Sequence, residues 1–123
     1  MNPDEKKHPF LDDLTEESEL HSTIMREPIR GINNIRRVVD AVGSLYVSQV
    51  PTFYGSVDGR HFLQYQATLR NGRHIEAVGV IERDGTNIVR RVTMTFSPLD
   101  AAMSLSADVG LAIGGEAGVN LFL

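Results

Sequence analysis

The sequence predicts an α+β domain in which a strongly bent antiparallel sheet carries helices on its concave face. Three observations predict it. Residues 60–96 form three β-rich runs joined by Asn71-Gly72 and Asp84-Gly85. Both dipeptides suit two-residue type I′ turns, because each central residue must tolerate positive φ. Ahead of the runs, residues 31–43 place Ile32, Ile35, Val38, Val39 and Val42 at helical spacing. Behind them, Ser97-Pro98 opens a second helical pattern. Strands and helices are segregated rather than alternating, which is the α+β arrangement.

The 123 residues are expected to form one domain spanning 1–123, long enough to bury a core unaided. Hydrophobic content of 41% and charged content of 23% are ordinary for a globular chain. A net charge of −4 gives no basic footprint, so no nucleic-acid partner is expected. Without cysteine, disulfides and thiolate chemistry are excluded. No apolar run approaches 18 residues and the N-terminus is polar, so the expectation is a cytoplasmic protein without a membrane partner.

In order along the chain, residues 1–8 are charged and expected to be loose. Residues 9–14 predict a short helix offering Phe10, Leu11 and Leu14 to the core. Residues 20–27 predict a strand ended by Pro28, which cannot donate to a ladder. Gly31 opens the amphipathic helix and Gly43 is its expected terminator. Residues 47–57 predict a strand, with Pro51 at an edge or bend, and Asp58-Gly59 turns it into the meander. Ser97 is the expected N-cap of the last helix and Pro98 its first residue. Gly114-Gly115 ends that helix, leaving residues 117–123 as a short apolar tail.

If both meander turns contain two residues, the register follows. Gln64 then faces Gly79, Phe62 faces Ile81, Gly79 faces Arg90 and Ile75 faces Met94. One face collects Phe62, Ile75, Ala77, Ile81, Ile88, Val92, Met94 and Phe96, interrupted by Gln64, Gln66, Thr68 and Arg90. The other collects Leu63, Tyr65, Leu69, Val78, Val80 and Val89 with His74, Glu76, Arg91, Thr93 and Thr95. A β-bulge would exchange the faces beyond it. On this register the helix covers the first face, with a cavity at the small residues Ala77 and Gly79, walled in part by Phe62 and Met94. The Leu63/Tyr65/Val78/Val80/Val89 face, too apolar for open solvent, is the expected homodimer interface.

Arg90 is the leading candidate for chemistry, because a guanidinium beside Gly79 could fix a ligand carboxylate or carbonyl. The competing reading is an arginine that snorkels at the sheet edge or pairs with a helix acid. Gln64 and Gln66 could hydrogen-bond a polar group in an apolar cavity, or satisfy buried backbone or a water. Tyr54 could add a hydroxyl from the preceding strand. His74, Glu76, Arg91 and Thr93 could pair as a base and its orienter, or be polar members of a dimer interface or a solvated face. His8, His21 and His61 have no metal-ligand spacing. No metal, no other cofactor and no phosphate loop is expected.

The stretch PFLDDLTEESELHSTIMREPIRGINNIRRVV, followed by the meander, resembles the NTF2-like superfamily. That group includes the SnoaL-like polyketide cyclases, limonene epoxide hydrolase and ketosteroid isomerase. The shared features are Asp12-Asp13 closing a helix, then a strand, then Gly31 to Arg36 opening the next helix with Ile35-Arg36. The resemblance covers residues 9–114 and implies a cone-shaped fold, a pocket between helices and sheet, and a homodimer. It implies no particular activity, since function lives in the site rather than the fold. Ketosteroid isomerases carry their general base five residues after the second Asp, and here that position is Ser18, flanked by Glu17 and Glu19. Their oxyanion-stabilising acid has no counterpart between Asp84 and Asp100. The expected function is therefore binding of a small hydrophobic molecule. The alternative is an isomerase, cyclase or hydrolase acting on a polyketide-, steroid- or terpene-like substrate, and a third reading is a subunit whose fold serves only dimerisation.

Overall fold

The computed structural model describes residues 9–123, so the expectation for residues 1–8 lies outside it. A 3₁₀ turn at Pro9–Asp13 leads to strand β1 (Glu19–Ser22) and a two-residue strand β2 (Ile29–Arg30). Helix α1 (Ile32–Ser44) follows, then the long strands β3 (Tyr46–Val57), β4 (Arg60–Leu69), β5 (His74–Arg83) and β6 (Val89–Ser97). Helices α2 (Leu99–Ile113) and α3 (Gly115–Asn120) close the chain. The six strands form one open sheet in the order β2-β1-β6-β5-β4-β3. The α+β expectation holds. The sheet is mixed rather than wholly antiparallel, because β1 runs parallel to β6, with Leu20 opposite Val92.

Of the three X-Gly turns, only Asp58-Gly59 is a two-residue turn: Val57 pairs with Arg60, and φ is 51° and 78° at the two central positions. The Asn71-Gly72 connection is one residue longer. The Leu69 amide donates to the Arg73 carbonyl at 2.8 Å and the Gly72 amide to the Leu69 carbonyl at 2.9 Å. Gly72 takes the left-handed position at φ 90°. This is a type I turn with a glycine bulge. Asn71 stabilises it by accepting from the Arg73 amide and reaches across to Ser104 of α2.

That one residue moves the β4 register. Leu63 faces Gly79 and Tyr65 faces Ala77, so Tyr65, Ala67 and Leu69 join the buried face. Phe62, Gln64 and Gln66 turn to the outer one. The second loop is also longer: the Asp84 amide bonds the Ile88 carbonyl, and Asn87, not Gly85, holds positive φ at 69°. Asp84 Oδ1 accepts from the Thr86 amide, the Thr86 hydroxyl and the Ile88 amide. This odd loop buries Val89 and exposes Arg90, and a further register shift between Glu82 and Arg83 returns Val92, Met94 and Phe96 to the inner face. The supposed dimer face therefore divides: Leu63, Tyr65 and Val89 belong inside, while Val78 and Val80 remain outside.

Helix α1 covers the inner face through Ile35 and Val38, both buried. Its first residue follows Gly31, whose φ of 98° no side-chain-bearing residue adopts cheaply. Gly43 does not terminate the helix; the cap is Leu45 in the right-handed region. Helix α2 packs against α1, β5 and β6, burying Ala101, Ala102, Leu105, Ser106 and Val109. Ser97 is the last residue of β6 rather than the cap, which falls on Pro98 without a side-chain bond. The residues expected as an apolar tail instead form α3. It is held to α2 by backbone approach at Gly110 and Gly118, where an added Cβ would meet the opposing carbonyl oxygen. Phe122 then bridges to Met25.

Candidate functional site

Between α1 and the inner sheet face lies a cavity of about 50 Å³. Helix α1 contributes Val38, Val39, Val42 and Gly43; the sheet contributes Leu63, Tyr65, Met94 and Phe96; Phe10, Leu20, Ser22, Ile24 and Tyr46 complete the wall. The walls are largely apolar because strand alternation sends Leu63 and Tyr65 inward on β4, Met94 and Phe96 inward on β6. By volume it holds a few water-sized molecules.

Its main polar feature is a pair of phenols. Tyr46 Oη and Tyr65 Oη lie 2.8 Å apart, and the rings meet edge to face with centroids 5.8 Å apart. The pair forms because Tyr46 stands opposite Leu69 on β3 and Tyr65 lies inward on β4. One hydroxyl donates to the other, so the accepting tyrosine keeps its own hydrogen for a further acceptor. Burial pushes both hydroxyls above the ordinary phenol value; for Tyr46 the neighbouring phenol pushes the same way, and for Tyr65 the bond with Tyr46 opposes it. The pair is thus a protonated hydrogen-bond donor, suited to a carbonyl, ether or hydroxyl oxygen.

Met94 is the residue among the sequence's candidates that reaches this cavity. Its Sδ and the Leu63 side chain occupy the space beside Gly79, so the cavity is not at Ala77 and Gly79 as the two-residue turns implied. Arg90 is exposed and lies outside the wall, because the three-residue loop before it reverses its facing. Gln64 faces Val78 and Gln66 faces Glu76 on the outer face, with a 3.4 Å contact from Gln66 Nε2 to Glu76 Oε1. Phe62 faces Val80 there too. Tyr54 is 69% exposed and stacks on His61, away from the cavity. His74 bonds Thr68 across the strands.

Ser18 is 1% exposed and purely structural in its bonding: its hydroxyl donates to the Val89 carbonyl and accepts from the Thr15 amide. Its acidic neighbours also lie elsewhere. Glu17 is exposed. Glu19 sits on the outer face, 2.9 Å from His21 Nε2 and 2.8 Å from Arg30. The His21 hydrogen bond, then Arg30, brings the Glu19 carboxyl from 4.5 to about 2. Among the described residues, no group of three or more His, Cys, Asp or Glu is placed to hold a metal, and no helix is long and apolar enough to cross a membrane.

The sequence matches no protein-family model and no curated protein. Solved structures do match. A bacterial protein with a cystatin-like fold from Silicibacter pomeroyi superposes with a TM-score of 0.79 at 12% identity, covering 88% of this chain and 76% of that one. A steroid delta-isomerase from Pseudomonas aeruginosa gives 0.76 at 16% identity, covering 85% and 77%. An NTF2-like protein of Burkholderia xenovorans gives 0.60 at 17% identity, covering 71% and 66%. The chain has the α+β cone fold of the NTF2-like proteins. At these identities the likeness concerns the fold, and function must be argued from the site.

Proposed function

We propose that this protein binds a small, uncharged, hydrophobic molecule carrying one hydrogen-bond-accepting oxygen, seated between α1 and the inner sheet face. The observation that carries the reading is the Tyr46–Tyr65 hydroxyl pair in an otherwise apolar cavity. A few placed polar groups in an apolar enclosure is the general composition of small-molecule sites. Met94 and Leu63 would form the apolar floor. A carbonyl or hydroxyl oxygen would take the free phenol hydrogen, whereas a carboxylate would enter without a cationic partner in the wall. Binding is favoured over catalysis because both phenols are held protonated and the wall otherwise consists of apolar groups and Ser22.

The test uses acetophenone and its oxygen-free analogue ethylbenzene, titrated by NMR. Acetophenone is expected to shift the Tyr65 and Leu63 signals of the wild type. Tyr65→Phe should weaken the ketone roughly 3- to 10-fold, the worth of one neutral hydrogen bond, and leave ethylbenzene unchanged. Equal loss for both compounds, or no ketone binding to the wild type, would refute the proposal.

The homodimer is proposed as well, on a corrected surface. Val50 and Phe53 of β3 face Gln66 and Gln64, which face Glu76 and Val78 of β5. The outer face thus groups Val50, Phe53, Phe62, Val78 and Val80, with Phe53 56% and Val78 41% exposed. Contiguous apolar exposure of this kind marks an interaction surface, and a two-fold partner can bury the same patch on both copies. Sedimentation should show a dimer at micromolar concentration that Val78→Glu dissociates. A wild-type monomer at that concentration counts against it.

A further inference from the structure

Gly43 has no structural reason to be glycine. It lies within α1, where glycine is the least favourable residue short of proline. Its backbone is not in the left-handed region, and a Cβ placed on it would meet no atom within 4 Å. Neither conformation nor close packing excludes a side chain there.

The missing side chain lies where two compartments share a wall. Gly43, Val39 and Tyr46 line the inner cavity. The same three residues line an outer groove of about 300 Å³, completed by Asp40, Val47, Ser48 and Gln49. The inner cavity alone, at about 50 Å³, is well below the roughly 300–1,000 Å³ of ordinary ligand sites. Joined across Gly43, the two compartments reach that range.

We infer that Gly43 is the threshold of one continuous ligand channel, and that the ligand straddles it. This rests on the binding reading above and specifies its ligand class. The oxygen-bearing head lies inside, against the tyrosine pair, and an unbranched apolar tail crosses Gly43 into the groove along Val47. The groove's one charged side chain is Asp40, so a tail ending in an anion is disfavoured and a neutral one accepted. The ligand is a slender alkyl ketone, alcohol or ether rather than a fatty acid. A side chain at position 43 would project into the tail's path.

The experiment compares acetophenone, which has only a head, with octanophenone, in which a seven-carbon chain replaces the methyl, on wild type, Gly43→Ala, Gly43→Leu and Val47→Glu. Gly43→Leu is expected to weaken octanophenone at least 10-fold, and Val47→Glu, in the groove and outside the inner cavity, to weaken octanophenone at least 10-fold and acetophenone no more than 3-fold. Gly43→Ala should raise the thermal midpoint, since alanine favours helix, and show a smaller loss of the same kind. If Gly43→Leu does not fold, the wild type still decides: intermolecular NOEs from the octanophenone terminal methyl should reach Val47 and Gln49. Acetophenone binding with octanophenone unaffected by the substitutions, or both weakened equally by Val47→Glu, or NOEs only to inner residues, overturns the channel while leaving the head site standing. No binding of either ketone to the wild type overturns the binding reading and the channel with it.

Discussion

Ser106→Ala is expected to lower stability by about 2–3 kcal/mol, from the roughly 1–3 kcal/mol that each stranded buried group costs. Ser106 is fully buried. Its hydroxyl donates to the Ile24 carbonyl at 2.7 Å and accepts from the Leu123 amide at 2.8 Å. One oxygen therefore ties α2 to the segment after β1 and to the end of the chain. Alanine removes both bonds and leaves the Ile24 carbonyl and the Leu123 amide without their partner. The loss should exceed that of an exposed serine such as Ser48 several-fold. Urea denaturation measures it, and a midpoint within error of the wild type would show that water or backbone movement supplies the missing partners.

The second large effect concerns alkaline pH. Tyr46 and Tyr65 both have folded pKa values above their unfolded value near 10.0, with burial the leading cause. A group raised in this way holds more protons folded than unfolded once pH passes the unfolded value. Its contribution is complete below pH 10 and is lost as pH climbs beyond it. The slope is about 1.4 kcal/mol per pH unit while a tyrosine stays protonated only in the folded state, so at about pH 11.5 Tyr46 accounts for roughly 2 kcal/mol, and Tyr65 acts in the same direction. Tyr65→Phe should be less stable than wild type at pH 7, where it lacks the hydroxyl bond, yet lose less on going to pH 11. Denaturation curves at the two pH values give the comparison. Parallel alkaline losses in both proteins would mean that Tyr65 ionises freely in the folded state.

Much of this architecture was legible in the chain. Helix α1 follows from the spacing of Ile32, Ile35, Val38 and Val39, and the meander follows from β-rich runs punctuated by glycine. The site was not, and the reason lies in one loop. Asn-Gly accommodates a two-residue turn and also the last two positions of a three-residue one, with the same glycine at positive φ in both. The dipeptide alone cannot distinguish them. The alternation within β4 could have done so: Leu63, Tyr65, Ala67 and Leu69 are apolar, and Gln64, Gln66 and Thr68 between them are polar. Requiring the apolar set to face Ile75 and Ala77 demands an odd loop and brings Tyr65 inside. Tyr46 carried no such signal. Its partnership with Tyr65 arises across strands 19 residues apart and depends on register shifts within β3. Arg90 faces outward for the same reason, since Asp84-Gly85 opens a three-residue loop in which Asn87 takes the positive φ.

The odd loops also bear on which insertions and deletions this lineage could have tolerated. In a sheet with an inside and an outside, every connection carries a parity, and side-chain facing survives only if parity is conserved along the chain. Residues 70–72 form an uncompensated odd loop, so losing one of them would put Leu63 and Tyr65 in solvent and Gln64 and Gln66 in the core. Residues 85–87 form another, but the shift at Glu82/Arg83 supplies a second odd step, and the two cancel for Val92, Met94 and Phe96. A single-residue deletion there could be neutralised by smoothing the bulge, whereas the first loop has no such reserve. Length variation should therefore be freer at the β5–β6 connection than at β4–β5, even though both are short, exposed and glycine-bearing.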